Sequence, residues 1–170
     1  PRNEQLAERY GLEGKTVLMT LGRLSAQERY KGVDEVVELL PDLAREIPDL
    51  AYLVVGDGDD LDRLRQKTRR LGVADRVVFA GRVAESEKAD HYRLAHAFVM
   101  PGRGEGFGFV FLEAMASGVP VVASTIDGSR EAVRGGWPGE TLEGDFDGVR
   151  AWARLSMEAS RALYRDGGRD

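Results

Sequence analysis

The chain has 170 residues, 31% of them charged and 42% apolar, an ordinary balance for one globular domain of the usual ~100–200 residues. A net charge of -5 argues against a nucleic-acid surface, the lack of cysteine excludes disulfides and thiolate metal sites, and there is no apolar run of ~18 residues or signal-like segment to predict a membrane span or export. A cytoplasmic location is the default expectation, and the start at Pro1 in place of Met suggests a piece of something longer.

Residues 1 to 15 read as an amphipathic lead-in, with Leu6 and Tyr10 apolar at i and i+4 and Gly11 ending it. Gly14-Lys15-Thr16 invites a phosphate-loop reading, which fails because the motif's first glycine would fall at Arg9 and a strand follows. That strand, Thr16 to Leu21, is apolar and β-branched and runs out at Gly22-Arg23. A polar loop with clustered cations continues through Arg29-Tyr30-Lys31-Gly32. From Val33 the apolar positions 33, 36, 37, 40, 43, 44 and 47 keep a helical period, predicting a core-facing helix that Pro41 bends or divides. Ala51 to Val55 is the second strand, ending in Gly56-Asp57-Gly58. Leu61, Leu64 and Leu71 then mark a helix whose Arg63, Arg65, Lys67, Arg69 and Arg70 form a solvated face. Val77 to Ala80 is the third strand, ending at Gly81-Arg82. Ser86 opens a helix through Lys88 and Tyr92 to His96, Ala97 to Met100 is the fourth strand, and Val119 to Ala123 the fifth.

Continuously apolar strands alternating with helices predict an α/β fold, a Rossmann-like doubly wound parallel sheet with helices on both faces. Glycines stand beyond the strand ends, at Gly22, Gly56, Gly58, Gly81, Gly102 to Gly108 and Gly128. Ligands of doubly wound sheets bind outside those ends, so pattern and fold rule point to one crevice. From Gly135 the pattern thins: Gly135-Gly136-Trp137-Pro138-Gly139 is a turn, Thr141-Leu142 a short strand, and Val149 to Tyr164 a helix turning Trp152, Leu155, Ala159 and Leu163 inward. Residues 1–170 are read as a single domain with an open assignment for 135–170.

The densest stretch is Met100 to Pro120. Glycines at 102, 104, 106 and 108 come at every second position, and a backbone without Cβ atoms can bring its N–H groups close to a ligand. Phe109 to Ser117 are helix formers with almost no polar relief, predicting a buried helix stopped by Gly118 and Pro120, and the N-terminus of that helix is a ready anion site. Glu113 is the odd residue, a carboxylate among apolar neighbours that is costly to bury unless paired or hydrogen-bonded. A salt-bridged helix Glu is the plain reading; the glycine spacing in front of it favours a functional one.

Glu105-x7-Glu113, within Arg-Gly-Glu-Gly-Phe-Gly-(x)4-Glu-Ala-Met-Ala-Ser-Gly-Val-Pro-Val-Val-Ala, resembles the signature of retaining glycosyltransferases of family 4 with the GT-B fold. The resemblance covers residues from about 3 to 133, although the Gly-x-Leu-Val-x-Pro segment expected after Glu131 is missing. It implies one of the two domains of a GT-B enzyme, the C-terminal donor-binding half, with an N-terminal acceptor domain as its missing partner and a nucleoside diphosphate sugar as donor substrate. Gly22-Arg23-Leu24 with Lys31-Gly32 matches the family's diphosphate clamp, and an Arg fork with a Lys point charge suits a pyrophosphate. Glu113 is implied on the ribose hydroxyls, and Glu105 near the hydroxyls of the transferred sugar. The N–H groups of Gly106, Phe107 and Gly108 are implied on the sugar or phosphates, and backbone groups at Gly81-Arg82-Val83 on the base edge. Arg82 itself reads equally as a ligand contact or an exposed cation, and Phe109 as a core plug. No cofactor or metal is implied.

Gly56-Asp57-Gly58 resembles the start of a dinucleotide fingerprint, but Leu61 stands where the third glycine belongs. Asp57-Gly58-Asp59 resembles a metal-binding Asp-x-Asp, yet acids at 57, 59 and 60 before a helix are better explained as N-terminal capping. His91 and His96 are five apart, off a common helix face, which argues against a metal pair. The expected function is hexosyl transfer from a nucleoside diphosphate to an acceptor hydroxyl. A GT-B epimerase, a phosphorylase with a lysine-bound pyridoxal cofactor, and a non-catalytic nucleotide-binding module are the alternatives.

Overall fold

A computed structural model of the chain describes residues 1–102, 108–124 and 140–142. The elements in chain order are α1 (Glu4–Arg9), β1 (Thr16–Leu21), a 3-10 turn (Ala26–Lys31), α2 (Val33–Glu46), β2 (Leu50–Val55), α3 (Leu61–Arg70), β3 (Val77–Gly81), α4 (Lys88–Tyr92), β4 (Ala97–Met100), α5 (Phe109–Ala116), β5 (Val121–Ser124) and β6 (Glu140–Leu142). All strand pairs are parallel, in the order β3-β2-β1-β4-β5-β6. This is the doubly wound order, and its topological switch point lies between β1 and β4. The short strand expected at Thr141-Leu142 is β6, while the helix expected over Val149 to Tyr164 lies outside the described residues.

Both faces of the sheet are covered, which is why β1 and β2 are buried at every position and are apolar except for Thr16 and Thr20. Val17, Met19 and Leu21 of β1 face a layer holding Ala7 of α1, Tyr92 of α4 and Phe111 and Ala114 of α5. Leu18 faces the other layer, with Val36, Val37, Leu40 and Leu43 of α2 and Leu64 of α3. No helix among the described residues is long and apolar enough to cross a membrane.

Two expectations about helices need correction. Of the two outcomes expected at Pro41, a bend or a division, the second does not occur: α2 is helical from Val33 to Glu46. A mid-helix proline costs about 3 kcal/mol. Five side chains of α2 are buried, each contributing about 1.5–3 kcal/mol, so packing outweighs the break. Nor is the cationic face of α3 simply solvated. Arg63 donates to both oxygens of Asp34, at 2.8 and 2.5 Å, and to both of Asp60, at 2.7 and 2.5 Å. Lys67, itself buried, reaches Asp34 and Glu38. Burial raises Asp34's pKa, but the hydrogen bonds from Arg63 and Lys67 outweigh it and hold the carboxyl below its ordinary value.

The acids before α3 do not act as expected either. Asp60 occupies the N-cap position but makes no side-chain cap hydrogen bond, because its carboxylate is taken by Arg63 and by Arg29, whose Nη2 lies 2.7 Å away. Asp59 instead accepts from the N–H of Ala26 at 2.9 Å. The acidic run therefore fastens the 3-10 turn of the first loop to the start of α3.

Candidate functional site

The loops leaving β1, β2, β3 and β4 meet backbone against backbone. Gly22 N–H donates to the Val55 carbonyl at 2.9 Å, Leu24 N–H to Asp57 at 3.0 Å, and Gly56 N–H to Gly81 at 2.8 Å. Gly56 holds φ +136°, and a Cβ there would collide with the carbonyl oxygen of Gly22. A Cβ on Gly58 would collide with the Leu24 carbonyl, and one on Gly102 would come within 2.7 Å of the Tyr30 carbonyl. One on Gly32 would come within 2.8 Å of Pro101. The last two contacts join the loops beyond β1 and β4, at the switch point.

This glycine packing borders a cavity of about 230 Å³ lined by Gly22, Arg23, Asp57, Arg82, Val83 and Lys88 together with the ends of β1 and β2. Four residues singled out from the sequence thus share one cavity. Arg23 is 73% exposed, with its Nε 3.6 Å from Glu28 Oε2. Lys31 is 16% exposed and lies beside Gly22, with its Nζ 3.5 Å from Glu28 Oε1. Arg82 thus stands at the cavity wall, which leaves both readings of it open.

Lys88 was not anticipated. It leads from the cavity to α5, pairing with Glu85 at 2.8 Å and lying 3.5 Å from Glu113 Oε1. The hydrogen bond with Glu85, then the charges of Glu113 and Glu85, raise its pKa against the opposing effect of burial. The Tyr92 hydroxyl donates to Glu113 Oε2 at 2.8 Å. Burial, then that bond to a carboxylate, push the phenol's pKa well up, so Tyr92 remains the donor. Glu113 is therefore not enclosed by apolar side chains. It is 34% exposed and has the pairing that the plain reading required. One carboxylate offers about four lone-pair sites, so acceptor capacity remains on Oε1.

The helix carrying Glu113 is only half buried. Phe111 and Ala114 face the sheet, while Phe109 is 69% exposed and Leu112 is also exposed. Phe109 is thus not a core plug: at ~100° per residue, positions 109, 112 and 116 share the face opposite 111 and 114. Gly108 is the N-cap, with φ +69° and no side chain to close the first turn. Glu105, Gly106 and Phe107 lie outside the described residues. The two histidines have structural partners: His91 Nε2 pairs with the Tyr10 hydroxyl at 3.0 Å, and His96 Nδ1 accepts from Val17 N–H at 3.0 Å.

A family model described as glycosyl transferases group 1 matches residues 15–155. The chain belongs to that family. Among its curated relatives, a GDP-mannose-dependent alpha-(1-6)-phosphatidylinositol monomannoside mannosyltransferase of Mycolicibacterium smegmatis is 40% identical over 153 residues, covering 85% of this chain and 39% of the relative. The mannosylfructose-phosphate synthase of Agrobacterium fabrum is 35% identical over 138 residues, covering 76% of this chain and 30% of that protein. The chain thus spans about two fifths or less of the length of these two relatives. Among solved structures, Anabaena HepE in complex with UDP-glucose superposes with a TM-score of 0.78 at 26% identity, over 93% of this chain and 43% of HepE. The lipopolysaccharide galactosyltransferase WaaB does so with a TM-score of 0.69 at 26% identity, over 85% of this chain and 41% of WaaB. Group 1 membership, the doubly wound sheet and GT-B neighbours agree with one another.

Proposed function

We propose that this chain is the C-terminal, donor-binding half of a family 4 retaining glycosyltransferase. In this reading it moves a hexosyl group from a nucleoside diphosphate sugar to an acceptor hydroxyl held by an N-terminal partner domain. The observation that carries the reading is the convergence of Gly22, Arg23, Arg82 and Val83 on one cavity beyond the C-terminal strand ends. Its likeness to HepE, solved with UDP-glucose, and to a GDP-mannose-dependent relative supports a nucleotide sugar as donor.

The residues divide the work by chemistry. The Arg23 fork and the Lys31 ammonium hold the diphosphate and stabilise the charge that develops as it leaves, which is where the barrier falls. Glu113, with Oε2 engaged by Tyr92, uses Oε1 to accept from the ribose hydroxyls. The base edge lies along Arg82-Val83. The N–H groups of Gly106, Phe107 and Gly108 are assigned to the sugar or the phosphates, and the carboxylate of Glu105 to the hydroxyls of the transferred sugar. No metal or cofactor is invoked, and no side chain is assigned as a nucleophile.

Calorimetric titration with UDP, GDP, ADP, GDP-mannose and UDP-glucose is the test. Replacing Arg23 or Lys31 by Ala should weaken the preferred nucleoside diphosphate far more than its nucleoside, which has no phosphates to lose. Equal losses would indicate a folding defect, and no binding of any nucleotide by the wild-type chain would sink the reading. Positioning catalysis needs both reactants in one geometry, so the 170-residue chain alone should bind donor yet transfer no sugar to a panel of sugar and lipid acceptors. Robust glycoside formation would refute the division of labour.

A further inference from the structure

The ion pairs beside the cavity are of two kinds. Arg29 and Asp60 form a close, forked pair with contacts of 2.7 to 3.1 Å, as charge-assisted hydrogen bonds should. Glu28 does something different on the same 3-10 turn. Its single carboxylate spans two cations, Oε1 lying 3.5 Å from Lys31 Nζ and Oε2 3.6 Å from Arg23 Nε. Both distances exceed the range of a charge-assisted hydrogen bond, and Oε2 is buried with no hydrogen-bond partner. The attraction is coulombic alone, so moving Glu28 aside sacrifices no hydrogen bond at that oxygen.

We propose that Glu28 is a competing counter-ion of the diphosphate site, occupying by its carboxylate the anion position between Arg23 and Lys31 that a bound diphosphate must take. This rests on the reading of those two cations given above. Glu28 N–H is anchored to the Ser25 carbonyl at 2.9 Å, so a displaced carboxylate stays within a few ångströms of the ligand and continues to oppose it. The opposition rises with the charge of the ligand. When the bond between the sugar's anomeric carbon and the diphosphate oxygen breaks, its electron pair stays on that oxygen, the acceptor oxygen bonds the carbon and the acceptor's proton passes to water, so the product diphosphate is more anionic than the donor. Glu28 therefore weakens the product more than the donor and favours its release.

The test compares the full chain with its Glu28→Gln and Glu28→Asp variants in titrations with inorganic pyrophosphate, UDP, GDP, UDP-glucose, GDP-mannose, uridine and guanosine. Glu28→Gln should bind pyrophosphate and the accepted diphosphate about three- to tenfold tighter, the sugar nucleotide less so and the nucleoside unchanged, with the gain shrinking at high salt. Glu28→Asp, which keeps the charge, should stay near wild type. Unchanged or weaker pyrophosphate binding by Glu28→Gln would overturn the proposal and make Glu28 a brace for the turn. Equal tightening by both variants would also overturn it, because loop relaxation and not charge would be responsible. If pyrophosphate tightens as expected while no form binds any nucleotide, Glu28 keeps its role and the nucleotide-sugar reading fails.

Discussion

The two walls of the crevice are built by different means. On the β1 side, the loops carrying Gly22, Leu24, Gly56, Gly58 and Gly81 are joined by backbone hydrogen bonds and by contacts that leave no room for a Cβ. On the α5 side, Lys88, Tyr92 and Glu113 are joined by side chains alone, and Glu113 can exchange one partner for another. A backbone wall fixes where a ligand lies and tolerates little change. A side-chain wall decides what is recognised and is free to change partners.

That contrast can be broken most severely at Gly56. Gly56→Ala forces a side chain into a left-handed conformation and against the Gly22 carbonyl, so it should destabilise the chain by about 3 kcal/mol or more in urea unfolding. Gly81 has φ +73° but open space around a Cβ, so Gly81→Ala should cost only about 1–2 kcal/mol, the strain alone. Similar losses at the two sites would mean that the backbone contact is not what holds the wall.

On the opposite wall, Glu113→Ala should leave the fold in place and weaken nucleotide and nucleoside alike by about 1.5–3 kcal/mol, the range for hydrogen bonds to a charged group. Unchanged affinity in a folded variant would remove Glu113 from the site. The smallest effect belongs to the latch that ties the Arg23–Lys31 loop to α3. The bonds from Arg63, then Arg29, hold the Asp60 carboxyl at about 2 against an ordinary 3.8. A depressed carboxylate contributes stability above its unfolded value and loses it as pH falls through the folded one. Asp60 should therefore account for about 1–1.5 kcal/mol lost between pH ~4 and ~2, after allowing for the solvent screening of half-exposed Arg29. Asp60→Asn should lack that part of the acid slope, and matching slopes in the two proteins would assign the latch no such weight.

The fold was legible because its signals are local. Four apolar residues and two threonines in β1 and six apolar residues in β2, each run followed by glycine, specify buried parallel strands whatever lies elsewhere. The position of Gly22, Arg23, Arg82 and Val83 just beyond strand ends was legible for the same reason, whereas the roles expected of them came from the resemblance. Lys88 and Tyr92 were not, because their roles depend on pairing across the fold with Glu113, and Glu28 was not, because only the folded turn sets its carboxylate between Arg23 and Lys31. Asp34, Glu38, Arg63 and Lys67 did leave a trace: the acids are spaced i, i+4 on one helix, as are the bases on the other. Read helix by helix, such spacing looks like surface decoration. Only the packing of α2 on α3 turns it into a network.

The glycine wall also bears on the entropy of binding. Side chains such as Lys and Arg lose about 1.5–2 kcal/mol of rotamer freedom when they are immobilised, whereas glycine has no rotamers to lose. A ligand seated against Gly22 and Gly56 meets a surface that is already ordered. The side-chain ordering entropy of binding is then concentrated in the exposed cations of the cavity, Arg23 and Arg82.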